Sequence, residues 1–551
     1  MPVINFKYSD LCSLIGKKVP QKTLVERIPL IGADMHQTEG ESDDMSVEFF
    51  PDRPDMFSVE GVARALRAFL DIEPGMKEYA VKRSNYIAKI EEPVLDVRPC
   101  FACAVVKDVF VTDDIIKSMM ELQEKLHMTM GRKRNKFAIG LHDLDKVESP
   151  FRYTAVDPKS VSFVPLNCTE SMTLDEILIK HDKGKEYADL LKDKEKYPII
   201  FDKNDNVLSF PPIINGTLTT VTTETRNIFI DVTGNDQKGV KSALDIVTTA
   251  LAERGGRIHT VKMVGKEEYR SPDLSETKIT ISIKKCGRFL GIELDEYKTN
   301  KALGRMGMSA EFAGDLAIVS IPSTRSDIMH EVDVFEDIAI GYGFEHFGDK
   351  YTSQQTSGRL DAVTAFSEKI RDVMIGLGFT EVTTLTLSNQ KDEFERSRLP
   401  VKTSTCITNP ITEDHTCLRS YLMPSLMRIL RHNKHRDLPQ KIFEVGFVSD
   451  EHRTSPHLCA MVTSSKTSFT EMKSITESVV REIGLDYSIS PCAYKTFIDG
   501  RGAFVSSKDK EVGFFGEVSP NVVIDYEITH PVMMFEIDLS SIIEEKSRSL
   551  F

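Results

Sequence analysis

"AFVSSKDKEVGFFGEV", residues 503–518, places two apolar runs on either side of a short charged turn, the pattern of a β-hairpin. "VMMFEIDL" at 532–539 reads as another strand, which suggests an antiparallel sheet. Helices accompany it: Val363, Phe366, Ile370, Val373 and Leu377 recur at helical spacing before Gly378, and a further helix is expected at 471–483. The last block of the chain is therefore α+β.

Working outward, 551 residues are too many for one hydrophobic core. A prior of roughly 150 residues per domain suggests about three or four domains. Polar, aperiodic stretches at 71–86, 265–277 and 348–359 look like connectors and leave four blocks. The first holds a helix near 58–70, entered from "FFPDRPDMFS". The second has a helix capped by Thr112 or Asp113 and another carrying Val240, Leu244, Val247 and Leu251 before Gly255. Between them "FAIGL", "TLTTVTT" and "NIFIDVTG" read as β-rich. The third runs from "KITISI" through a helix near 295–307 to the strand "LAIVSIP".

With 40% hydrophobic and 28% charged residues and no long apolar run, the chain reads as a soluble globular protein without a membrane span. Its start lacks a basic segment followed by an apolar stretch, so a cytoplasmic location is expected. Nine scattered cysteines read as reduced thiols, and the isolated Cys100–Cys103 pair, inside the strand-like "RPCFACAVV", reads as core and not as zinc ligands. A net charge of −14 argues against nucleic-acid binding over the whole surface. Local basic runs remain, "GRKRNK" at 131–136 and "RILRHNKHRDLPQK" at 428–441; such runs are more often solvated faces than binding sites.

The segment "SDIMHEVDVFEDIAIGYG", 326–343, crowds Asp327, Glu331, Asp333, Glu336 and Asp337 beside an apolar stripe. On a helix from about 331 to 343, Val332, Phe335, Ile338 and Tyr342 would form the stripe, with Asp333, Glu336 and Asp337 neighbours on the adjoining face. Like charges so placed are either screened by water or collected by a cation, and oxygen ligands of this kind suit Mg²⁺.

Taken in order, "PDRPDMFSVEGVARAL" (51–66), "GRKRNKFAIGLHDLDK" (131–146), "SFPPIINGTLT" (209–219), "NIFIDVTGND" (227–236), the acidic segment, and 409–446 with its "KIFEVG" ending resemble the β subunit of phenylalanyl-tRNA synthetases of the archaeal and eukaryotic type. The resemblance spans the chain. It implies an N-terminal α+β domain at 1–80, an α+β editing domain at 81–268, a winged-helix-like module at 269–348 and, at 349–551, a catalytic-like class II synthetase domain built on an antiparallel β-sheet. It also implies an α2β2 heterotetramer with an α subunit that binds ATP and charges tRNA(Phe), while the β chain hydrolyses mischarged tyrosyl-tRNA(Phe). Asp327, Asp333, Glu336 and Asp337 match the family's Mg²⁺ ligands; Gln123, Arg134, Asn215, Asp231 and Thr233 match its editing pocket, Asp231 for the phenol, Asn215 and Arg134 for the ester or nucleotide. His127 and His142 are less inviting as bases.

A second site makes chemical sense, because a pocket shaped for phenylalanine excludes an added hydroxyl by only about a hundredfold. The adenylation chemistry itself is expected to be absent. "KIFEVG" keeps Glu444 but has Ile442 where class II enzymes carry an ATP-clamping arginine, and "GFFGEVSP" lacks the later motif arginine. Two other readings of the chain are a free-standing tRNA deacylase and a purely structural scaffold subunit.

Overall fold

The computed structural model describes residues 2–36, 42–348, 356–450, 453–540 and 542–543, so the expected connector at 348–359 lies largely outside the described residues. Contacts divide the chain into two compact units, Met1–Lys350 and Tyr351–Phe551. Among the described residues no helix is long and apolar enough to cross a membrane.

The first unit opens with strands β1 (Val3–Lys7), β2 (Ala33–His36) and β3 (Asp44–Phe49), in the order β1-β3-β2, followed by helix α1 (Val59–Phe69), capped by Ser58. At the centre of a large mixed sheet lie β4 (Cys100–Lys107), β5 (Phe137–Asp143), β6 (Ile228–Gly234) and β7 (Arg257–Val264), antiparallel in the order β7-β4-β6-β5. Two helices cover it. In α2 (Asp113–Met128) the Thr112 side chain caps the first turn; α3 (Gln237–Glu253) is capped by Asp236 and buries Val240, Leu244, Val247 and Leu251.

Cys100 and Cys103, three apart on β4, point to opposite faces of the sheet, as a strand requires. "TLTTVTT" is not a strand. Thr217–Thr219 form a 3-10 turn, because Thr217 and Thr220 donate their hydroxyls to the Pro165 and Thr217 carbonyls and so favour local bonds over a ladder.

The unit closes with β8 (Thr277–Ser282), helix α4 (Glu296–Arg305), β9 (Ser309–Ala313), β10 (Leu316–Ile321) and helix α5 (Glu331–Tyr342), the three strands antiparallel in the order β8-β10-β9. One apolar core runs through all three blocks, from Leu11 and Leu66 through Leu244 to Phe335 and Ile338. The connectors at 71–86 and 265–277 therefore do not separate independent cores.

The second unit holds helix α6 (Ala362–Gly376), helix α7 (Met423–His432), strands β11 (Gln440–Asp450) and β12 (Arg453–Thr463), helix α8 (Phe469–Glu482), and strands β13 (Phe497–Ser507), β14 (Lys510–Val518) and β15 (Val532–Asp538). The five strands form an antiparallel series β11-β12-β15-β14-β13, extended at the β11 edge by a short parallel strand. Lys508 and Asp509, at φ 48° and 62°, make the two-residue turn of the β13–β14 hairpin. Positive φ at both positions matches the right-handed strand twist.

Candidate functional site

A cleft of about 290 Å³ opens between α2, the strands β5 and β6, and the 209–221 segment. Gln123, Arg134, Asn215, Asp231 and Thr233, far apart in sequence, all line it, among Ile115, Met119, Ile139 and Phe210. Alternation on β6 explains two of them: Ile230 and Val232 enter the main apolar core, so Asp231 and Thr233 face the other way. α2 supplies Gln123, whose amide donates to the Ile139 carbonyl at 2.7 Å. The Asn215 amide sits 3.4 Å from the Leu141 carbonyl.

Arg134 enters from a turn in which Arg132, Lys133 and Arg134 all have left-handed φ, 46°, 53° and 64°. Three such non-glycine residues in a row are strained and must be held by their surroundings. Arg134 Nη1 donates to the Pro212 and Ile213 carbonyls, Nη2 meets Glu124 at 3.3 Å, and the guanidinium stacks over Tyr187 at 4.4 Å. From behind, Arg98 Nη2 donates to the Arg134 and Thr233 carbonyls and Nε to Thr233 Oγ1. Arg98 is 3% exposed, and burial holds its guanidinium down to about 10. It had no place among the residues expected from sequence. The available signal was an arginine directly before the apolar run that becomes β4.

Asp231 is also buried. Its Oδ1 lies 2.6 Å from His142 Nε2, and His142 Nδ1 lies 2.7 Å from Thr219 Oγ1. Gly140 faces this pair across β5 and β6: a Cβ there would come within 2.2 Å of Asp231 Oδ1. His127 has another task. Its Nε2 accepts from the Ile139 amide at 2.8 Å, and burial holds the ring down to about 4, so it is a neutral strut between α2 and β5. Glu124 is 3.7 Å from its Nδ1, too far for a hydrogen bond.

The acidic segment is arranged differently from its sequence reading. Val334, Phe335, Ile338 and Ala339 form the buried face of α5, and Gly341 abuts Ala302 of α4, where a Cβ would lie 2.1 Å from a carbonyl oxygen. That close approach turns Val332 outward, to 39% exposure, and carries Asp337 inward. Asp333, Glu336 and Asp337 consequently do not share one face: Glu336 is exposed, while Asp333 accepts from the Met329 and His330 amides at the helix start. Glu331 pairs with Lys285.

Arg325, which sequence reading passed over, donates to both Asp327 and Asp337, at 2.7 and 2.6 Å. Burial pushes the Asp337 carboxyl up, against the pull of Arg325. Among the described residues no three His, Cys, Asp or Glu groups gather so as to hold a metal ion. As placed, Arg325 holds Asp327 and Asp337, backbone amides hold Asp333 Oδ2, and Glu336 faces solvent, so the four carboxylates do not converge as a Mg²⁺ shell needs.

In the second unit Ile442 packs in an apolar cluster with Leu422, Leu426 and Met461. Glu444 is buried against Arg419 at 2.9 Å and accepts from the Thr384 hydroxyl at 2.6 Å. Of the basic run, Arg428 lies near Asp392 and Arg431 pairs with Glu527.

Residues 112–262 match the family model for the B3/4 domain, 279–344 that for the tRNA synthetase B5 domain, and 350–539 that for the phenylalanyl tRNA synthetase beta chain CLM domain. The phenylalanine–tRNA ligase beta subunit of Methanosarcina acetivorans is 44% identical over 99% of this chain and 100% of its own length. That of Archaeoglobus fulgidus is 44% identical over 98% of each. A crystal structure of an N-terminal fragment of the phenylalanyl-tRNA synthetase beta subunit from Pyrococcus horikoshii superposes with a TM-score of 0.60 at 39% identity, covering 62% of this chain and all of the fragment. The chain belongs to the phenylalanine–tRNA ligase beta subunit family.

Proposed function

We propose that this chain is the editing and assembling half of a phenylalanine–tRNA ligase. It joins an α subunit in an α2β2 heterotetramer that uses ATP and Mg²⁺ to charge tRNA(Phe), and it hydrolyses tyrosyl-tRNA(Phe) in the cleft of the first unit. Supporting this reading is the convergence of Gln123, Arg134, Asn215, Asp231 and Thr233 on one apolar cleft. The apolar wall accepts an aromatic ring, Asp231 accepts the phenol hydrogen, and Asn215 and Arg134 face the ester and terminal nucleotide. Water attacks the ester carbonyl, the ester C–O bond breaks, and tyrosine and the free tRNA hydroxyl leave. A phenylalanine ring would leave Asp231 Oδ2 without a hydrogen to accept, a penalty that protects the correct product.

Adenylation falls to the α subunit. The reading rests on Ile442, an apolar core residue where a phosphate clamp would be needed, and on Glu444 being held by Arg419. The proposal divides labour among 1–80, 81–268 as the editing domain, 269–348 and 349–551. Assignment of Mg²⁺ to Asp327, Asp333, Glu336 and Asp337 requires Arg325 to release two of them. Equal Mg²⁺ occupancy in an Asp333→Ala, Glu336→Ala complex would remove that assignment.

The main test is deacylation of tyrosyl-tRNA by the assembled complex carrying Asp231→Ala, Asn215→Ala or Arg134→Ala. Rates should fall in each, and unchanged rates in all three would refute the editing reading. Pyrophosphate exchange by the chain alone with ATP and phenylalanine would refute the division of labour.

A further inference from the structure

Resting on the editing reading, we propose that His142 and Thr219 form a buried hydrogen-bond chain that holds Asp231 as a fixed acceptor, so that the cleft selects an aminoacyl side chain by the hydroxyl hydrogen it donates. His142 is fully buried and makes both of its ring contacts within the chain, to Asp231 Oδ1 at 2.6 Å and Thr219 Oγ1 at 2.7 Å. With a neutral ring and an ionised Asp231, Nε2–H donates to the carboxylate and the Thr219 hydroxyl donates to Nδ1. With the proton moved to Asp231, Oδ1–H donates to Nε2, and Nδ1–H donates to Thr219, whose hydroxyl can turn to the Gly216 carbonyl 3.4 Å away. An imidazolium beside a carboxylate is the third arrangement.

In all three, the contact with His142 consumes Oδ1, and Oδ2 carries no hydrogen. Among the described residues Oδ2 accepts no hydrogen bond, and Asp231 lines the cleft. The side chain therefore offers an acceptor whatever the position of the shared proton. Without His142 a protonated Asp231 could instead turn a donor toward the ligand, and a rotated one would aim neither oxygen. Gly140 keeps the arrangement possible, because a Cβ there would sit 2.2 Å from Oδ1 and 2.8 Å from His142 Nε2. His142 lies behind the cleft wall and the Thr219 hydroxyl is turned to its ring, so both act through Asp231 as positioning residues, and their mark is selectivity.

The test compares the full-length complex as wild type and as His142→Leu, His142→Gln and Thr219→Val, measuring kcat/KM for tRNA(Phe) charged with tyrosine and with phenylalanine. His142→Leu should lower the tyrosine-to-phenylalanine ratio about tenfold or more, and Thr219→Val should lower it in the same direction. His142→Gln, whose Nε2 amide can reach the same oxygen, should retain most of the ratio. A purely packing role would depress both esters together and leave the ratio alone. Equal ratios in wild type, His142→Leu and Thr219→Val would overturn the relay while leaving editing intact. A wild-type complex that hydrolyses neither ester would instead overturn the editing reading, and the relay with it. If His142→Leu fails to fold, Thr219→Val decides, and an unchanged ratio there refutes the proposal.

Discussion

Replacing Asp245 with asparagine should stabilise the first unit, by an amount that grows with pH. Asp245 lies on α3, fully buried, and among the described residues neither carboxyl oxygen makes a hydrogen bond. Burial pushes its carboxyl from 3.8 up to about 8, against the weaker pull of Lys241. Between those two values the unfolded chain has released this proton while the folded chain still holds it, so the unfolded state binds fewer protons and stability falls as pH rises. The loss is about 1.4 kcal/mol per pH unit and reaches roughly 4 kcal/mol at pH 7 as an upper bound. Asparagine keeps the shape without the titration. Thermal unfolding of wild type and Asp245→Asn at pH 5, 6, 7 and 8 should show the variant's advantage widening at each step. A gap that stays constant with pH would mean that the carboxyl is ionised in the native protein, and the burial argument would fail.

His127 should act in the opposite direction. With its ring held at about 4 in the folded chain and an ordinary value near 6.5 when unfolded, the unfolded state gains protons first on acidification. Roughly 3 kcal/mol is therefore lost between pH 6.5 and 4, and a His127→Gln variant should show a flatter melting profile over that range. Arg98→Met removes the donors that hold Thr233 and the Arg134 turn; it should cost about 3 kcal/mol or more and reduce tyrosyl-tRNA hydrolysis more than it reduces assembly with the α subunit. Arg325→Met strands Asp337 in the core and should cost about 3–5 kcal/mol in urea unfolding, with Asp337→Asn recovering part of it.

What could be read from sequence follows the range of the interactions. Helices were legible because their signals are local: Thr112 before an apolar period of 3.6 becomes the cap of α2, and the 503–518 hairpin follows from alternation and a charged turn. The face of α5 was misread at its start, where Val334 and not Val332 is buried. Val332 and Val334 are equally apolar, and only the approach of Gly341 to Ala302 on a different helix decides which is buried. In the cleft, the five lining residues expected from sequence were accessible through family resemblance, while Arg98, His142 and Thr219 were not singled out as supports. The partners that make them supports lie 36 to 135 positions away, beyond any local pattern.

Both structural surprises have the same physical origin. A buried charge is tolerated only when another group answers it, and the sequence shows charges without showing their answers. Around Asp55, Asp327 and Asp337 the answers are Arg53, Arg64 and Arg325: Arg53 and Arg64 reach Asp55, and Arg325 spans the other two. The "PDRPDM" turn and the acidic segment, about 270 positions apart, thereby become one charge-balanced group, Arg325 also acting on Asp55. A divalent cation added to that group would leave excess positive charge in a low-dielectric interior, where repulsion is strong. Crowded carboxylates beside an apolar stripe are accordingly not evidence of a cation until the guanidinium groups in reach have been counted. Here that count accounts for the acids that are buried, and it leaves Glu336 at the surface.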